Sequence, residues 1–456
     1  MFGSINPTYS SGGNIKILLI QPSSRYTIKE NNPKVVEEVR GTNPPLGIMY
    51  LASYLMMYTN HTVDIYDGQL GDHLAMDLQL GNYDVVGISV LTFTLLSAIS
   101  EIDIIRKFSP KSKIIVGGTH PTIYPKEMLQ WADIVVRGEG ETIFPTVLKN
   151  LDSPQKIFAS RELEQDLDSF PYPYRTHIDK YNSMFTRGRM TILLTSRGCP
   201  FNCAFCFRPV VGRNLRVRSV QNVVNEIDGC VDRGINSFLI YDDTFTVDKN
   251  RVMEICQEII KRKLKIKFDV RTRVDMLTKD MLVNMKRAGA VRIKLGIESG
   301  VQRVLNRMRK GITLQQIKQA FLWCKQVGIE TFGYIMLGNP GETYDDIEET
   351  IRFTKKISPD YVHCAVFTPY PSTESYQEYI QKTGKDPWLD FARSPSQDFQ
   401  VPVWGDITRE ELEKRVLRFY KEFYLRPKYI LQHLWCNPIN YIGAGIALLK
   451  ERNVDK

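Results

Sequence analysis

"SRGCPFNCAFCFRP", residues 196–209, sets three cysteines, Cys199, Cys203 and Cys206, within eight positions. Thiolates spaced by three and two intervening residues can wrap one face of an iron–sulfur cube. Three irons then take a protein ligand and the fourth is left open. A structural zinc site wants four protein ligands, normally from two paired knuckles. The remaining cysteines, Cys230, Cys256, Cys324, Cys364 and Cys436, form no C-x2-C pair. Ferredoxin-type runs fill the fourth position with cysteine, often followed by proline, but Cys206 is followed by Phe207, Arg208 and Pro209. The loop therefore reads as the seat of a 4Fe-4S cluster with an open iron.

Outward from this loop, strands and helices alternate. "TILLTS" precedes it; "NSFLIYDD", "IKFDVR", "VRIKLGIESG", "ETFGYIMLG" and "DYVHCAVFTP" follow, separated by helical stretches beginning at Val220, Lys249, Lys279, Leu314 and Tyr344. This succession predicts a partial (β/α)6 barrel of the TIM type over 189–375, with its working loops at the strand C-termini. Residues 1–150 show the same alternation in "IKILLIQPS", "HTVDIYDG", "YDVVGISVL", "KSKIIVGGTH" and "ADIVVRGEG". They predict a separate α/β domain, a doubly wound Rossmann-like sheet. Residues 151–188, with Pro154, Pro171 and Pro173, lose the periodicity and read as a linker. Residues 376–456 read as mostly helical; in "TREELEKRVLRFYKEFYL" Thr408 caps the helix, with Glu411 three residues later. The apolar tail "INYIGAGIALLK", 439–450, reads as a packed helix.

Composition narrows the class. The 456 residues are 43% hydrophobic and 24% charged, a globular balance. No run of eighteen apolar residues suggests a transmembrane segment, and no charged n-region with an apolar core and cleavage site begins the chain. The expected compartment is cytoplasmic, where thiols stay reduced and available to metal. The net charge of +9 is spread along the chain, and clusters such as "KRKLKIK", 261–267, read as solvated helix faces. A nucleic-acid partner is not expected.

The C-x3-C-x2-C spacing after a first barrel strand resembles the radical S-adenosylmethionine (SAM) superfamily, over residues 190 to 370. The resemblance implies that the open iron chelates SAM through its amino and carboxylate groups. It also implies an anaerobic reaction in which an electron from a low-potential donor such as flavodoxin or ferredoxin cleaves SAM to a 5′-deoxyadenosyl radical. Phe205 matches the aromatic position that packs near the adenine. Asp242 or Asp243, in "YDDTF", stands where the family often carries Gly-Gly-Glu to accept from the SAM amino group. Arg273, with Arg271, ends the third strand and is a partner for the SAM carboxylate; surface salt bridging is the competing role. Glu298 in "LGIESG" resembles the residue that binds the ribose hydroxyls, and Gly338 in "GYIMLGNPGET" the segment approaching the adenine.

The first domain has neither G-x-G-x-x-G after its first strand nor a Walker A ending. "SVL" (Ser89 to Leu91) and Gly117–Gly118, with "GGTHP" and "RGEGE", resemble cobalamin-binding domains, in which small residues admit the nucleotide tail of the corrinoid. Gly47, ending "TNPPLG", belongs to the same expected set. The Asp-x-His-x-x-Gly loop of many such domains is missing, and His73 and His120 read as ordinary loop histidines. The resemblance implies cobalamin with its tail buried and no protein imidazole on cobalt.

Together these readings predict a cobalamin-dependent radical SAM enzyme that methylates an unactivated carbon of a small molecule or lipid. Two alternatives stand beside it: an oxidative cyclase or lipid-modifying enzyme without net methyl transfer, and a non-catalytic cobalamin or iron–sulfur sensor. Methylthio transfer is disfavoured, because residues 1–190 hold no cysteine for a second cluster. Tyr172, Tyr174, Phe367 and Tyr370 are candidates to line a substrate pocket, with ordinary packing as their default role.

Overall fold

The computed structural model describes residues 13–28, 42–160, 162–181, 189–405 and 407–434. The apolar tail and residues 182–188 of the linker lie outside them. The first sheet is formed by β1 (Lys16–Gln21), β2 (Thr62–Asp67), β3 (Val85–Ser89), β4 (Lys113–Gly117), β5 (Ile134–Arg137) and β6 (Ile157–Ala159). All pairings are parallel and the order is β2-β1-β3-β4-β5-β6. Runs such as KIIVG and IVVR are apolar on consecutive positions because helices cover both faces. β1 pairs with both β2 and β3, so the order reverses there, and a crevice opens beyond the strand C-termini. β6 falls inside the segment expected to be a linker. It is a three-residue edge strand, too short to carry a readable period.

The second sheet comprises β7 (Met190–Leu193), β10 (Ser237–Ile240), β11 (Lys267–Thr272), β12 (Ala290–Glu298), β13 (Glu330–Leu337) and β14 (Tyr361–Val366), all parallel. Its order, β14-β13-β12-β11-β10-β7, is that of an open six-stranded barrel. The helices that follow start at Ser219, Asp248, Thr278, Thr313 and Thr343, each accepting a backbone N–H from the third residue on. A short antiparallel clip, β8 (Ser196–Arg197) with β9 (Arg216–Val217), closes the base of the cysteine loop.

The two domains share an apolar seam of Met49, Tyr181, Met190, Ile192 and Leu239. The C-terminal region is not a separate layer. Trp388 and Phe391, on the helix Pro387–Arg393, join the core of the first sheet. The helix Arg409–Tyr424 has the expected capping box of Thr408 and Glu411 and covers the exposed edge of the barrel. There Tyr420 Oη accepts from the Cys364 N–H at 2.9 Å and donates to its carbonyl, and Tyr424 Oη treats Val362 alike. Two phenols thus stand in for a missing neighbouring strand.

Candidate active site

The cysteine loop leaves β8 through Gly198, whose φ of +85° is open to glycine; a Cβ there would lie 2.2 Å from the Asn214 carbonyl. Cys199 is buried, its Sγ 3.5 Å from Thr244 Oγ1. Arg208 braces the loop by donating to the carbonyls of Cys199 and Phe201. Arg273 Nη1 lies 3.5 Å from the Cys203 Sγ, with its guanidinium stacked on Phe201 at 3.9 Å. Burial, with Cys203, Cys199 and Asp243 adding to it against the pull of Arg208, pushes the Cys206 thiol up to about 11. Thiolates crowded this way need a cation to hold them ionised. Among the described residues no three His, Cys, Asp or Glu side chains converge on a single metal ion. A donor set of three thiols spread around one loop, flanked by Arg273, fits a multi-iron cluster.

Beside this loop Glu298, buried and with a φ of +63°, accepts from Lys310 Nζ at 2.7 Å. Lys310 Nζ also stands 5.7 Å from the Phe205 ring centre. Phe205, Lys310 and Glu298 therefore form one group against the cysteine loop, and Lys310 is the member the sequence reading missed. Asp242 and Asp243 diverge. Asp242 is fully buried and accepts from Thr195 N at 2.6 Å, Thr195 Oγ1 at 2.5 Å and Ser196 Oγ at 2.7 Å. Both its oxygens are committed to the passage from β7 into β8. Asp243 makes no side-chain hydrogen bond among the described residues; burial and the Asp242 carboxylate raise its pKa. Arg273 spends its fork on Asp275, at 3.0 and 3.1 Å, and on the Lys310 carbonyl at 2.6 Å. Arg271 lies instead 3.9 Å over the Tyr241 ring. Gly338 packs away from this group: a Cβ would meet Leu412 at 2.6 Å, so its smallness serves the C-terminal helix.

A cleft of about 310 Å³ separates the cysteine loop from the first sheet. Leu19, Ile88, Ser89, Gly117 and Gly118 line it from the strand ends, and Gly47 from the helix Leu46–Tyr58. Ser196, Arg197, Gly198, Tyr241 and Asp243 close it from the barrel side. A Cβ on Gly47 would meet nothing within 4 Å, and one on Gly117 only Val136 at 3.7 Å, so both glycines leave room that a side chain would fill. The apolar, glycine-floored lining matches in character the surface against which a corrinoid packs. Of the five residues expected to contact cobalamin, Gly47, Ser89, Gly117 and Gly118 line it and Leu91 does not; Leu91 is 42% exposed.

Two family models match, the Radical SAM superfamily over 193–354 and the B12 binding domain over 33–148. An uncharacterised methyltransferase of Pyrococcus horikoshii is 31% identical over 448 residues, covering 92% of this chain and 95% of that one. The chain belongs to the cobalamin-binding radical SAM superfamily. The anaerobic magnesium-protoporphyrin IX monomethyl ester cyclase of Rubrivivax gelatinosus is 28% identical, covering 86% of this chain and 76% of its own. Among solved structures, the radical SAM methyltransferase TsrM of Kitasatospora setae, with cobalamin and a 4Fe-4S cluster bound, shares the fold. Its TM-score is 0.66 at 16% identity, covering 81% of this chain and 78% of TsrM.

The chain is thus a radical SAM enzyme with a B12-binding domain, a family that implies an iron–sulfur cluster beside SAM and cobalamin. Its two domains are joined by a buried charge network. Arg197, at the root of the cysteine loop, pairs with Glu139 at 3.1 Å and Glu141 at 2.6 Å; Arg216 holds Glu139 through two bonds of 2.6 and 2.9 Å. Burial alone would raise the Glu139 carboxyl, but Arg216 and Arg197 hold it below its ordinary value. These acids belong to "RGEGET", whose carboxylates carry no recognisable spacing. His120 is buried with Nδ1 3.2 Å from Thr92 Oγ1 and does not line the cleft. Among the described residues, no helix is long and apolar enough to cross a membrane.

Proposed function

We propose that this radical SAM enzyme transfers a methyl group to an unactivated carbon of a small molecule or lipid. The observation that carries the reading is the single cleft lined at once by Gly117 and Gly118 of the first sheet and by Ser196 to Gly198 and Asp243 of the barrel. When bound, cobalamin supplies a transferable methyl group and the cluster with SAM supplies hydrogen abstraction. Cys199, Cys203 and Cys206 would hold the cluster. Asp243 would accept from the SAM amino group, Glu298 with Lys310 would meet the ribose, and Phe205 would pack on the adenine. Gly47, Ser89, Gly117 and Gly118 would seat cobalamin, while Arg197 keeps the cysteine loop against its cleft. The protein's contribution is alignment and exclusion of water.

The test is mass spectrometry of SAM products after anaerobic reconstitution and addition of a low-potential reductant, with a panel of small-molecule and lipid substrates. Methyl transfer predicts 5′-deoxyadenosine and S-adenosylhomocysteine together, the second requiring cobalamin and the first lost in Cys203→Ala. Deoxyadenosine with a modified substrate and no S-adenosylhomocysteine would instead support an outcome like that of the cyclase relatives. An intact cluster giving neither product would refute the reading.

A further inference from the structure

The inner face of the barrel carries a charge pattern that none of these roles uses. On β11 to β14 alternate residues point inward: Asp269 and Arg271, Arg292 and Lys294, Phe332 and Tyr334, Tyr361 and His363. Their neighbours Val270, Ile293, Leu295, Ile335, Val362 and Cys364 are buried in the core cluster that the barrel strands share with the surrounding helices. Side-chain contacts run continuously along that face. Arg292 lies 4.9 Å from the Tyr361 ring centre, Phe332 stacks on Tyr361, and Tyr334 meets His363 edge-on. In register, Arg271 stands beside Lys294 and Lys294 beside Phe332.

The carboxylates here do not balance the cations. Asp269 takes Arg292 at 3.3 Å and Lys294 at 3.6 Å, and Glu330, half-exposed at the rim, takes Arg292. The Arg271 side chain has no hydrogen bond or ion pair among the described residues, and Asp243 is the carboxylate that feels its charge. Its Nε is buried without a partner, and its guanidinium is held 3.9 Å over Tyr241, a wall of the interdomain cleft. Burial, with repulsion from Arg271 and Arg292, pulls the Lys294 ammonium down to about 8 against the attraction of Asp269. A half-buried guanidinium whose Nε lacks an acceptor is completed by a bound anion.

We propose that Arg271 and Lys294 form an anion-binding subsite inside the barrel for a carboxylate or phosphate carried by the substrate. The inference rests on the methyl-transfer reading for the direction of approach. An anion held there, with an apolar body along Phe332 and Tyr334, sits just across Tyr241 from the cleft, so that the substrate's anchored end lies beside the junction of the two domains. Arg271 supplies a planar fork and Lys294 a point charge, a pair that accepts either anion.

Calorimetry on the reconstituted full chain with SAM saturating tests this with three probes: 3-phenylpropanoate, phenyl phosphate and neutral 3-phenylpropanamide. The subsite predicts that at least one anion binds about tenfold or more tighter than the amide, and which anion gains more tells carboxylate from phosphate. Arg271→Gln and Lys294→Gln should each erase the preference while leaving amide and SAM binding unchanged, and Arg271→Lys should restore part of it. Cluster and cobalamin absorbance report that the variants are folded. Equal binding of acid and amide, binding of none of the three, or a preference surviving both substitutions would overturn the proposal. So would loss of SAM binding in Arg271→Gln, which would make Arg271 a SAM ligand. Because the readout is probe binding, it stands or falls separately from the SAM products that test methyl transfer.

Discussion

Asp242 and Asp243 are adjacent and chemically identical, yet the fold gives them opposite work. Successive residues at a strand end face opposite ways, so one aspartate ties three donors of Thr195 and Ser196 and the other faces the cleft. Sequence could not choose between them, because the choice depends on which face β7 covers. Asp242→Ala, stranding those donors, is expected to cost about 2–3 kcal/mol in urea unfolding. Asp243→Asn should leave stability within about 0.5 kcal/mol and weaken SAM binding about tenfold by calorimetry. A second residue gives a pH signature. Burial holds His120 at about 4, below its ordinary 6.5, so it folds neutral. Between those values the unfolded chain binds the extra proton, and stability falls as pH drops from 6.5 toward 4. The loss reaches about 2 kcal/mol at pH 5, and His120→Asn should remove that share of the urea-midpoint shift between pH 7 and pH 5.

At the level of elements, most of the architecture was legible. The five helix starts read from sequence coincide with side-chain caps, and the strand runs recur within a few residues. What escaped was short or non-local: β6, with three residues, and the β8–β9 clip, with two per strand, are defined by partners rather than by their own pattern. Gly338 shows the same limit. A Cβ there would meet Leu412 of a helix seventy-odd positions later in the chain, a contact that no local pattern announces. Gly198 has the sharper consequence. Gly198→Ala would force a Cβ onto the Asn214 carbonyl at a left-handed φ. The variant should keep its helical circular dichroism and lose bound iron and sulfide, measured by colorimetric assay after reconstitution.

For the molecule as a whole, the cysteine loop announced one domain and the glycines suggested the other, but nothing in the spacing of "RGEGET" showed that its acids clamp the two together. Glu139 and Glu141 meet Arg197 and Arg216 only because the barrel and the doubly wound sheet face each other across the cleft. Glu139→Gln leaves two buried guanidinium groups short of charge. It should cost about 3 kcal/mol and raise the cobalamin dissociation constant more than that for SAM, both read by titration. In the proposed reading, this interdomain cleft seats cobalamin against the cysteine loop. Gly117 tests it most directly, because a side chain there meets only ordinary contacts with Val136 and would otherwise project into the cleft. The measurement is an anaerobic absorbance titration of cobalamin into the reconstituted wild-type chain and Gly117→Val. One cobalamin per wild-type chain, lost in the variant while iron content and urea midpoint are unchanged, is the predicted result; equal binding by both chains would contradict the account.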